Sequence, residues 1–165
     1  MLGWAYLLGD QREKAIAVVE ELQEMDPVPW LGSLVIGYAQ LVYGDAMDAV
    51  ETLVRVADNR EDATAALYAQ LYVGIAMGRL GNARAAQASF RRALELGLSS
   101  VELYETLAWA EVHLGLFEEA VRSADEAIRL IPPRILGLEQ AIAPSGRGSL
   151  RLETAMLLAG RWAVW

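Results

Sequence analysis

VELYETLAWAEVHLGLFEEAVRSADEAIRLIP, residues Val101 to Pro132, reads as two helices folded about one glycine turn. Ala108 and Ala120 are small residues on either side of "LGLFE" (114–118). Small side chains at such positions let two helices approach closely, while Leu107 fills space beside them. Gly115 is placed to supply the left-handed backbone that ends a helix, and Pro132 stands where a second helix must stop. One large aromatic, Trp109, points away from the side that Leu107 and Glu111 share.

The same pattern recurs along the chain. Gly3, Gly37, Gly74 and Ala108 are each followed twelve residues later by alanine: Ala15, Ala49, Ala86 and Ala120. The units are offset by 34, 37 and 34 residues. Two further columns keep those offsets: Val19, Leu53, Phe90, Ala124, and Leu22, Val56, Ala93, Ala127. Turn marks fall at "LLGDQ" (7–11), "YGDAM" (43–47), "LGNAR" (80–84) and "LGLFE". Each unit therefore reads as helix, turn, helix. A glycine at each turn is expected to take left-handed backbone, and Gly74 with Ala86, or Ala108 with Ala120, to mark the close approach.

The pattern resembles the tetratricopeptide repeat, a 34-residue helical hairpin. Tyr104, Leu107, Ala108, Gly115, Ala120, Ala127 and Pro132 fall on the family's usual places, as do Gly74, Gly81, Ala86, Phe90 and Ala93. Ser33 departs from it, standing where the family favours tryptophan, and "NREDATAA" (59–66) carries three extra residues. The resemblance implies an all-α, right-handed solenoid of stacked antiparallel hairpins whose first helices line a concave groove. The expected organisation is about four repeats over 1–133 (1–27, 28–62, 63–98 and 99–133). Residues 134–165 would form a degenerate fifth hairpin or cap, with "RILGLEQAIA" and "LRLETAMLLAG" as its helices. Gly3 already holds the mid-helix small position, so Met1 falls part-way into a first helix. The chain is expected to belong to a longer array or to have that edge covered.

Charge and composition narrow the function. The chain carries a net charge of −8, with twelve acids and four bases in residues 1–62, which argues against phosphate-backbone binding. Cysteine is absent, excluding disulfides and thiolate metal sites. His113 is the only histidine, so no histidine cluster exists and it reads as an ordinary helical side chain. "SGRGS" (145–149) lacks the lysine and spacing of a phosphate loop, and "GRLGNARAA" (78–86) joins two helices instead of following a strand. Glu20–Glu21 and Glu118–Glu119 diverge around a helix and read as solvated faces. Neither catalysis nor a cofactor is expected. No secretory signal is evident in "MLGWAYLLGD", which gives a cytoplasmic expectation. The uncharged run Pro27–Gly44 reaches 18 residues, but two prolines, Ser33 and Gln40 argue against a membrane span.

What remains is the face carrying the residue after each small position: Trp4, Tyr38, Ile75 and Trp109. Helical spacing extends it through Leu31, Leu34, Leu41, Val42, Tyr68, Leu71, Arg79, Glu102, Glu105, Val112 and His113. The family's peptide clamp places lysine, asparagine and arginine there to hold a C-terminal carboxylate. Those residues are missing, so that activity is not carried over. Two readings stand: core against adjacent first helices, or an apolar groove for a partner segment. On the second, the expected contacts are Trp4, Leu34, Tyr38, Leu41, Leu71, Ile75, Arg79, Glu105, Trp109, Val112 and His113. The expected role is a non-enzymatic adaptor binding an apolar peptide or helix of a partner protein. The alternatives are a self-assembling scaffold, meeting another copy through the N-terminal edge or the "GRWAVW" aromatics (160–165), and a small acidic secretion or assembly chaperone.

Overall fold

The computed structural model describes residues 12–131, and every regular element among them is an α-helix. The helices are α1 (Arg12–Gln23), α2 (Trp30–Tyr43), α3 (Ala46–Ala57), α4 (Ala63–Arg79), α5 (Ala83–Glu95), α6 (Val101–His113) and α7 (Phe117–Leu130). Trp4, the "LLGDQ" turn, the segment 134–165 and the "GRWAVW" aromatics lie outside the described residues. The chain divides into two compact units, residues 1–97 and 98–165. In the first, α1 packs on α2, α2 on α3, α3 on α4 and α4 on α5, and α2 also touches α4. In the second, α6 packs on α7.

Helix ends follow local chemistry. The side chains of Asp62, Asn82 and Ser100 accept the backbone N–H groups of Ala65, Ala85 and Leu103 at 2.9, 3.1 and 3.1 Å. Asp45 accepts that of Met47 at 2.6 Å. Each satisfies a donor the helix cannot. Gly81 and Gly115 adopt φ of 76° and 74°. There the N–H of Asn82 donates to the Met77 carbonyl at 2.9 Å, and that of Leu116 to Glu111 at 2.8 Å. These are the six-to-one bonds of a Schellman ending. Gly44 differs from expectation: its φ is −121°, so it is not left-handed. A side chain there would bring Cβ to 3.0 Å from the Gln40 carbonyl oxygen, and space, not φ, calls for glycine.

The close approaches also fall one turn later than the paired-small reading expects. A Cβ on Gly37 would lie 2.6 Å from Leu53, and one on Gly74 would overlap the Phe90 ring. In the last hairpin Ala108 packs with Ala124. All three partners lie sixteen residues apart and belong to the column Leu53, Phe90, Ala124. Glycine faces a large side chain twice, and alanine faces alanine once. Ala86 and Ala120, the partners that the paired-small reading named, are buried as well. Phe90 and Leu53 are 1% and 0% exposed; burial of such a side chain contributes about 1.5–3 kcal/mol.

Candidate functional site

The apolar face predicted on α2 and α4 splits into a buried part and an open part. Leu34, Leu41, Leu71 and Ile75 are 1%, 2%, 1% and 6% exposed. In this structure they are core and hold the stack together, so for these four the expected groove contact gives way to packing. α2 and α4 touch each other, and both pack on α3. The open part is a narrower stripe. Leu31 and Val42 of α2 and Tyr68 of α4 keep 42%, 38% and 39% of their surface. At about 100° per residue, Leu31, Tyr38 and Val42 fall within about 40° of one another, while Leu34 and Leu41 lie further round. Tyr38 is half-buried, its ring centroid 4.6 Å from that of Tyr72.

Both ends of this stripe are fixed by polar contacts. At the start of α2, Trp30 Nε1 donates to Glu61 Oε2 at 3.0 Å. At the end, Arg79 Nη1 donates to the Leu41 carbonyl oxygen, one of the acceptors that a helix C-terminus leaves unpaired. Arg79 thus caps the neighbouring first helix. Burial draws its pKa below the ordinary guanidinium value, with Tyr38 acting in the opposite sense.

In the second unit, α6 presents Glu102, Glu105, Trp109, Val112 and His113. Trp109 and Val112 are half-buried, and the exposed His113 ring lies 4.1 Å from Trp109 at a 35° tilt. His113 Nδ1 is 2.9 Å from the Trp109 carbonyl oxygen, and donates to it when that nitrogen carries the proton. Glu102 keeps part of its surface, yet crowding by protein atoms raises its pKa, and Glu105 one turn on raises it further. The tryptophan is therefore neither wholly core nor free: it is one side of a ring stack on a surface with acids at one end. Among the described residues no three Asp, Glu or His side chains group to hold a metal ion. None of the described helices is long and apolar enough to cross a membrane; the run Pro27–Gly44 supplies the 14-residue α2.

The residues of the face that sequence reasoning left out of the contact set are Leu31, Val42, Tyr68 and Glu102. Their positions were legible from spacing, but which of two adjoining stripes the neighbouring helix covers was not.

The fold is a tetratricopeptide-like stack of helical hairpins. No family model matches the chain, and no curated protein matches it. Solved structures do. A crystal structure of MamA superposes with a TM-score of 0.63 at 20% identity, covering 99% of this chain and 93% of that one. A double mutant of MamA RS-1 gives 0.63 at 16% identity, with 95% and 90% covered. MamA AMB-1 gives 0.60 at 24% identity, with 79% and 75% covered. At these identities the likeness is one of fold.

Proposed function

We propose that this chain is a non-enzymatic protein-interaction module that takes an apolar segment of a partner protein on the open stripe of its first helices. One observation carries the reading: after hairpin stacking has covered Leu34, Leu41, Leu71 and Ile75, Leu31, Val42 and Tyr68 still keep more than a third of their surface. Apolar surface left open by the fold's own packing is the kind that interaction sites use. The MamA-like fold is compatible with a scaffold or adaptor role. Arg79 and the Tyr38–Tyr72 pair hold the stripe in shape, and Trp109 with His113 offers a second contact on α6.

Energetics favour modest affinity. Covering a large apolar side chain contributes about 1.5–3 kcal/mol, and these are already partly covered. Association and ordering costs take a large share, which leaves micromolar binding. A photo-reactive amino acid at position 68 should crosslink a partner in the native host, and one at exposed Ala88 should not. With the photo-reactive amino acid at position 38 instead, Leu31→Glu together with Tyr68→Glu should abolish the crosslink while leaving the helical circular dichroism unchanged. Equal crosslinking from positions 68 and 88 would count against the stripe. The scaffold version is separated by light scattering across concentration: a monomer at every concentration removes it. The chaperone version requires that the captured segment lose its tendency to aggregate.

A further inference from the structure

A cavity of about 430 Å³ opens among α1, α2 and α3 in the first unit, and none of Leu31, Tyr38, Val42 or Tyr68 lines it. Its polar wall is Gln23, Ser33, Gln40, Thr52 and Arg55, and its apolar wall includes Trp30, Ile36 and Val56. The volume lies within the range of small-molecule sites. Repetition within the chain provides an internal control for each polar residue, because the same register positions can be read in the other hairpins.

Gln40 and Thr52 correspond, by the 37- and 34-residue offsets, to Glu111 and Ser123. In the last hairpin that pair is closed: Ser123 Oγ donates to Glu111 Oε2 at 2.7 Å, and both are buried. In the second hairpin Gln40 Oε1 is buried with no hydrogen-bond partner. A buried acceptor without a donor is uncommon and calls for an explanation. Ser33 corresponds to Tyr104, so a two-atom side chain stands where the last hairpin carries a phenol ring, and room is left. Arg55 corresponds to Arg92, which is bound to Glu95 at 2.8 Å. Arg55 itself makes no ion pair or hydrogen bond among the described residues. Three positions that are filled or satisfied elsewhere are thus left open around one cavity.

We infer that this cavity is a binding site for a small apolar amino acid, free or N-acylated. The carboxylate pairs with the Arg55 guanidinium, the ligand's N–H donates to Gln40 Oε1, and the apolar side chain lies against Trp30, Ile36 and Val56. A single molecule carrying an anion, a donor and an apolar body meets all three wall chemistries. The Trp30–Glu61 hydrogen bond holds the indole in place as one side of the site.

The test is titration of the full chain with N-acetyl-leucine, followed by the Gln40 side-chain amide and the Trp30 indole N–H resonances. Saturable shifts of both are expected, and N-acetyl-leucinamide, which lacks the carboxylate, should bind at least about tenfold more weakly, a 1.4 kcal/mol difference. Ser33→Tyr should fill the cavity and abolish the shifts. If that variant does not fold, Arg55→Gln, at an exposed position, decides: a loss of about tenfold or more is expected. Free leucine and the tetrapeptide Ala-Ala-Ala-Leu separate the sources. A preference for leucine or N-acetyl-leucine supports the inference, and a preference for the tetrapeptide overturns it in favour of a protein chain end. Absence of saturable shifts, shifts confined to other residues, or unchanged binding by Arg55→Gln would also overturn it.

Discussion

The α4–α5 hairpin and the α6–α7 hairpin solve one packing problem in two ways. Gly74 gives up its side chain so that Phe90 can enter, whereas Ala108 meets Ala124 with both methyl groups kept. The first is a deep knob in a bare hole; the second is a flat contact between small residues. The hairpins differ again at their turns. Asn82 caps α5, but Leu116 precedes α7 with no side-chain cap. The same two register positions meet in both hairpins, while the volume they bring and its division between the two helices differ. A repeat can therefore drift in sequence without losing its register.

The largest expected effect breaks the deep knob. Phe90→Ala should lower unfolding free energy by about 3–5 kcal/mol in urea denaturation, since a large cavity opens in the core. Ala124→Gly in the flat contact should cost far less, about 1 kcal/mol, mostly helix propensity. Gly74→Ala should cost about 1–3 kcal/mol by overpacking against Phe90. Phe90→Leu in the same chain should recover part of it, read as a coupling energy in a double-mutant cycle.

Next comes the polar pair that one hairpin closes and another leaves open. Ser123→Ala removes the hydroxyl donor from the buried Glu111 carboxylate and should cost about 1–3 kcal/mol. Thr52→Ala, at the corresponding place, removes no hydrogen bond to Gln40 and should change stability by less. Equal losses at the two positions would erase the contrast.

The turns sharpen the comparison in the other direction. Leu116 has φ −88° and ψ 63°, close to the −93° and 73° of Asn82. The backbone is already set for a cap, so Leu116→Asn should stabilise the chain by about 0.5–1 kcal/mol. Asn82→Ala should destabilise by about 1 kcal/mol. Thermal unfolding of both variants checks the pair.

The smallest effect is electrostatic. Glu102 has a folded pKa above its unfolded value. Its contribution is therefore fully present below the unfolded carboxylate range and is lost as pH rises through the folded pKa. Glu102→Gln should be more stable than the parent at neutral pH by a few tenths of a kcal/mol, the size of a like-charge pair one turn apart. At acid pH, where both carboxyls are protonated, that advantage should vanish.

The sequence alone determined the helical hairpin, its repeat and the columns that pack, because glycine, alanine and proline at fixed offsets act through the backbone and are readable one residue at a time. It also marked Tyr38 and Arg79 as face residues of α2 and α4, and the structure brings those two near enough to interact. Only the tertiary structure decided which side chain fills each small position, since the entry of Phe90 against Gly74 depends on the stagger between two helices. It decided as well that Leu34, Leu41, Leu71 and Ile75 are core while Leu31, Val42 and Tyr68 stay open. Burial is a property of how a neighbouring helix lies, and a stripe separated from the next by less than a quarter turn looks alike in sequence until that neighbour is in place.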